Sequence, residues 1–148
     1  MAATATAPPA PFVLTAPKGW VKPSQAAISW LPATSADGPL SYQVVLDGHL
    51  KSAPAAVLSA RIDPRGLGSG RHRLQVLAID RAGQSTLSAP STLLIDGVLP
   101  TVAVTRERGG TAVRVLVRDP YSGIDSRAVS VSFGDGANAR GHARFVHR

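Results

Sequence analysis

Four histidines, His49, His72, His142 and His147, are the side chains of this chain best suited to proton transfer or metal ligation. Their spacing favours neither. His142 and His147 fall on opposite faces of an extended segment, so they cannot jointly ligate one metal ion, and no HExxH pair occurs. The absence of cysteine excludes disulfides, thiolate nucleophiles and Cys-based zinc or iron–sulfur centres. No serine stands in a GxSxG elbow. Glycoside hydrolysis would need two acids brought ~5–10 Å apart, and the sole glutamate, Glu107, lies between Arg106 and Arg108 near a turn and reads as a solvated edge residue. Gly66, Gly68 and Gly70 cluster without a helix start behind them and read as a hairpin turn, not as a phosphate cradle. Asp119, Asp125 and Asp135 lie near turns of a kind that sometimes holds calcium. Asp-Pro and Gly-Asp-Gly form turns unaided, however, and the dense DxDxD run is missing. Catalysis, cofactors and resident metals are therefore not expected.

Binding is better represented than catalysis. Trp20 follows Lys18-Gly19 in a stretch that reads as a loop, either packed over one end of the domain or offered as a stacking platform for a sugar. Near the C-terminus, Arg140, His142, Arg144 and Arg148 share one face of an extended segment. Their guanidiniums are spaced for gripping phosphates, sulfates or uronates. The plain alternative is a charged strand face that keeps an edge soluble. No aromatic residue interleaves that row, which argues against single-stranded nucleic acid. The chain carries 16 Lys+Arg against 9 Asp+Glu, a net +7. Nearly all of the positive charge is arginine, as a GC-rich coding bias alone produces, and no basic run or tail marks a nucleic-acid partner.

The elements that must position these residues alternate with period two. With 148 residues and 44% hydrophobic side chains, the chain suits one full domain or one domain plus a fragment. Residues 1–10, rich in Ala, Thr and Pro, read as a linker and lack the basic and Leu/Val-rich regions of a signal peptide. No apolar run is long enough to span a membrane. Phe12–Thr15, Ala26–Trp30, Leu40–Leu46, Val57–Ile62, a long strand carrying His72, Leu74, Val76 and Ala78 on one face, and Ser91–Ile95 all read as strands. Asp47-Gly48 and Asp80-Arg-Ala-Gly83 mark turns. No amphipathic helix is evident. The expected architecture is all-β, an antiparallel two-sheet sandwich over residues 11–96.

Residues 97–100 read as a second linker, after which the pattern restarts. Thr101–Arg106 and Ala112–Arg118 read as a hairpin about Gly109-Gly110, followed by Val129–Phe133, the turn Gly134-Asp-Gly136, and a last strand from Ala139. So few strands in 101–148 predict an incomplete second β-sandwich unit.

Ile28-Ser-Trp-Leu-Pro32, Tyr42-Gln-Val-Val-Leu-Asp-Gly48, and the stretch from Leu67 through His72-Arg-Leu-Gln-Val-Leu-Ala-Ile-Asp-Arg-Ala-Gly83 together resemble a fibronectin type III-like repeat of the bacterial extracellular kind. The family's corner tyrosine position is held here by His72, whose imidazole N–H can also donate. Val129-Ser-Val-Ser-Phe-Gly-Asp-Gly136 is similar to the strand and FGDG turn of PKD-type, Ig-like domains, without the tryptophan or aspartate usual before the phenylalanine. The resemblance implies an Ig-like sandwich and a non-catalytic spacer or adhesive module of a larger secreted or cell-surface protein, located outside the cell. It implies neighbouring domains of the same polypeptide as partners, with cell-wall or extracellular polysaccharide as a further one. The rival expectations are a carbohydrate-binding accessory module of a secreted hydrolase, in which a second aromatic such as Tyr121 joins Trp20, and a polyanion binder using the arginine row.

Overall fold

The computed structural model describes residues 7–106, 108–109, 113–125, 127 and 129. In chain order the strands are β1 (Leu14–Thr15), β2 (Trp20–Val21), β3 (Ala27–Trp30), β4 (Ser41–Leu46), β5 (His49–Leu50), β6 (Ser59–Arg61), β7 (Gly70–Ile79), β8 (Ser85–Leu87), β9 (Ser91–Ile95), β10 (Thr101–Arg106) and β11 (Val113–Arg118). One turn of 3-10 helix at Pro23–Gln25 is the sole helical element among the described residues. The protein is all-β. Its chain divides into two units, Met1–Val98 and Leu99–Arg148.

In the first unit, β1, β3 and β6 form a three-stranded sheet in the order β1-β3-β6. A second sheet has the order β2-β9-β7-β4-β5, with β8 also pairing β7. All pairings are antiparallel except that of β2 with β9. Ile28 and Trp30 from the first sheet and Tyr42, Val44, Leu46, Leu74, Val76, Ala78, Leu93 and Ile95 from the second form one buried cluster. Alternation accounts for this arrangement. Along β7, Leu74, Val76 and Ala78 are fully buried, while the residues between them face out. Trp30 and Phe12 both pack on the Tyr42 ring, at centroid distances of 5.6 and 5.8 Å. The Tyr42 hydroxyl accepts the buried Ala33 N–H at 3.0 Å, which fixes the loop between β3 and β4.

The hairpin between β4 and β5 is the one that Asp-Gly predicts. Asp47 and Gly48 both take positive φ, 51° and 80°, as a two-residue loop requires when it must match the strand twist. Elsewhere the structure departs from the sequence reading. The glycine cluster does not join two paired strands: β6 and β7 lie in different sheets, so Gly66–Gly70 carries the chain across from one to the other. Pro9 is fully buried; its carbonyl accepts the Thr86 hydroxyl at 2.6 Å, and Ala10 N–H bonds the Thr34 carbonyl. These two residues of the expected linker are thus docked on the first unit. Gly97 N–H likewise bonds Ser69 Oγ at 2.8 Å.

In the second unit, β10 and β11 pair in antiparallel register from Thr101↔Arg118 to Arg106↔Val113. Val102 and Val104 share a face with Val113, Val115 and Val117, and Arg114 and Arg118 share the other with Ala103 and Leu116.

Candidate functional site

The register of the second sheet determines which residues stand together on its outward face. Leu93 and Ile95 of β9 point into the core, so Thr92 and Leu94 point out. β2 pairs with β9 so that Val21 lies beside Ile95 and Trp20 beside Leu94. Val21 packs on the core, and Trp20 therefore belongs to the outer face. On the other side of β9, Arg71 stands opposite Leu94 and Arg73 opposite Thr92. Trp20, Leu94 and Arg71 thus form one row across three adjacent strands, with Arg73 one step along β7 from Arg71. Trp20 is half-buried and both arginines are exposed.

The sequence reading put Trp20 in a loop. It lies instead in a short strand, because the turn at Gly19, with φ of 76°, carries the chain from the β1 sheet to the edge of the other sheet. A two-residue strand has too little alternation to be seen in the sequence. The other aromatics of the first unit, Phe12, Trp30 and Tyr42, are buried in the core. A second stacking aromatic from within this unit is therefore not available to Trp20. Arg140, Arg144 and Arg148 lie outside the described residues, as do His142, His147, Glu107, Asp135 and the whole FGDG turn.

No family model matches the chain, and neither does any curated protein.

His72 ties two separate segments of the first unit together. Its Nε2 lies 2.8 Å from the Gly68 carbonyl and its Nδ1 2.8 Å from Asp47 Oδ2. Asp47 Oδ1 accepts the Arg73 N–H at 2.8 Å. One imidazole thus joins the crossing between the sheets to the β4–β5 hairpin. A ring that meets a carbonyl at one nitrogen and a carboxylate at the other donates through both, which is the imidazolium form. Burial by itself pulls the His72 pKa down. The hydrogen bonds to Asp47 and Gly68 and the Asp47 charge outweigh that effect, and the net shift is upward from the ordinary 6.5. For Asp47, burial acts upward and is outweighed by the bonds from His72 and Arg73 N–H, so its carboxyl titrates below the ordinary 3.8.

These directions fix the pH dependence. Stabilisation from His72 is complete below 6.5 and disappears as pH rises through its raised folded-state value. Stabilisation from Asp47 is complete above 3.8 and disappears as pH falls through its lowered value. The clamp is strongest in the mildly acidic range between them. Asp47→Asn keeps an acceptor for Arg73 N–H and tolerates positive φ, but removes the charge. The His72 midpoint, followed by NMR, should lie above 6.5 in the native protein and fall in this variant. A midpoint that ignores the substitution would remove the pair from the account.

Asp119 and Asp125 serve the backbone of their own turns. Asp119 Oδ1 accepts Tyr121 N–H, and Asp125 Oδ1 accepts Arg127 N–H, both local turn bonds. Among the described residues, no group of three or more His, Cys, Asp or Glu is placed to hold a metal ion, and no helix is long and apolar enough to cross a membrane. An open depression of about 370 Å³ is lined by residues including Pro32, Ser35, Leu40 and Leu58, and the Ser35 hydroxyl at its wall donates to Asp80 Oδ2 at 3.1 Å.

Proposed function

We propose that the first unit is an immunoglobulin-like sandwich of the fibronectin type III kind, and that the chain acts as a non-catalytic structural or adhesive module of a larger extracellular or cell-surface polypeptide. Its principal partners are the neighbouring domains of that polypeptide. The observation that carries this reading is the pairing order. A β1-β3-β6 sheet and a β2-β9-β7-β4-β5 sheet share one core, with His72 bonded back to Gly68 at the place where that family ties its corner with tyrosine. The β10–β11 hairpin is compatible with the start of a second Ig-like, PKD-type unit.

An antibody raised against residues 7–98 tests the proposal on the native product. A species much larger than 15.3 kDa in the medium or envelope fraction is expected. A free 15.3 kDa protein confined to the cytosol would overturn the spacer reading.

The outward placement of Trp20 favours one second reading, a module that contacts polysaccharide. Fold alone does not decide between scaffold and binder, since both occur on sandwiches.

A further inference from the structure

We infer that His72 is the pin of an acid-set latch on the exit of the chain from the first unit: while its imidazole holds the Gly68 carbonyl, Ser69 holds Gly97, and loss of the first contact frees the second. This goes beyond the module reading and does not depend on it. The latch is built where the crossing between the sheets meets the end of β9. Gly70 stands opposite Ile95, so Gly68 and Ser69, just before β7, run beside Asp96 and Gly97, just after β9. Ser69 Oγ accepts the Gly97 N–H at 2.8 Å. On its other side, a Cβ at Gly97 would come within 2.9 Å of Pro23 Cγ, so glycine alone fits there without displacing the ring. Asp96 N–H is tied to the Val21 carbonyl. Gly97 is thus the first residue past β9 whose hold depends on the crossing.

Movement of the crossing is confined to two residues. Leu67 packs on the core and its N–H bonds the Pro64 carbonyl at 3.1 Å, while Gly70 is already paired in the sheet. Gly68 and Ser69 lie between these fixed points, flanked by Gly66 and Gly70, both at positive φ. The Gly68 carbonyl meets His72 Nε2, and Asp47 Oδ2 meets Nδ1. A carboxylate holds an N–H more strongly than a neutral carbonyl does. As pH rises, the ring therefore gives its Nε2 proton to solvent and keeps Nδ1–H. A lone pair then faces the Gly68 oxygen at the same 2.8 Å, two acceptors repel, and the crossing moves off. The charged groups acting on the ring are Asp47, from the β4–β5 turn, which favours the imidazolium, and Lys51, just after β5, which opposes it. β9 places Leu93 opposite His72, and the neighbours Arg71 and Arg73 point to the other face of β7. The net balance raises the His72 value, so release is expected above 6.5.

Backbone 15N relaxation of the full 148-residue chain from about pH 5 to about pH 9, with the His72 ring titrated in the same samples, tests the latch. The order parameters of Gly97 and Val98 are expected near ~0.85 at the acid end and to fall towards ~0.6 with the His72 midpoint, while those of Leu74 and Leu93 stay constant. Ser69→Ala should give the low values at every pH and, by reciprocity, lower the His72 midpoint. Asp47→Asn should move the midpoints of His72 and Gly97 down together. His72→Gln retains a donor that does not titrate and should abolish the pH dependence. Thermal midpoints confirm that each variant is folded, and the surface change Ser69→Ala serves if His72→Gln fails to fold. Order parameters at Gly97 that ignore the His72 midpoint overturn the latch. So does a pH dependence that persists in His72→Gln, which assigns it to another group, or a Gly97 that stays rigid in Ser69→Ala.

Discussion

Trp30→Ala is expected to destabilise the first unit by about 3–5 kcal/mol, the usual cost of removing a large aromatic from a packed core. Trp30 is 5% exposed and leans on Tyr42, which in turn meets Phe12, so one indole joins β3 to the facing sheet and to the chain entering β1. The void left would lie between two sheets whose backbones are each fixed by their own ladders. Collapse around it is therefore limited, and the cost should fall towards the upper end. The indole nitrogen is buried with no hydrogen-bond partner among the described residues, so the loss is mainly one of packing. For a domain of this size each kcal/mol moves the melting midpoint by ~4–8 °C, so a fall of more than ~12 °C in a thermal scan is expected. A fall of only a few degrees would show that the two sheets do not share a core through this residue.

Asp80→Ala should cost about 2–3 kcal/mol by a different route. Asp80 is 6% exposed, and its two oxygens serve two loops. Oδ1 accepts Gln84 N–H at 2.9 Å within the β7–β8 turn, and Oδ2 accepts the Ser35 hydroxyl at 3.1 Å from the β3–β4 loop. Hydrogen bonds to a charged acceptor are worth about 1.5–3 kcal/mol, and their removal strands the donors. Asp80→Asn retains Oδ1 and should cost less than half as much. Urea unfolding of both variants checks the ranking, with an unchanged m-value confirming that the native state alone is affected. Equal losses in the two variants would mean that the charge matters and the Gln84 bond does not.

The all-β character of the fold was legible from residues whose faces alternate. Leu74, Val76 and Ala78 announced β7, Tyr42, Val44 and Leu46 announced β4, and Asp47-Gly48 declared its own hairpin. What stayed hidden depends on contacts between distant segments. Pro9 reads as linker because proline-rich composition resembles one, and only the Thr86 hydroxyl, far along the chain, shows otherwise. The glycines at 66–70 permit either a hairpin or a crossing, and the choice is made by which strands find partners. The candidate site shows the same division. Trp20 could be singled out as an unusual residue, whereas Arg71 and Arg73 could not. Their proximity to it exists only through the register of β9, which lies between them.

The parallel pairing of β2 with β9 bears on how the first unit would respond to tension. β2 lies near its N-terminal end and β9 near its C-terminal end, and the two run side by side in the same direction. A pull on the two ends drags these strands past each other along their length. The Trp20–Leu94 and Val21–Ile95 rungs, with the Asp96 N–H to Val21 carbonyl bond beyond them, are then loaded together, in shear, and must give way as a group. Antiparallel neighbours joined by a hairpin would instead peel apart one bond at a time. A chain strung between neighbouring domains would thus meet its mechanical resistance at one of its shortest strands.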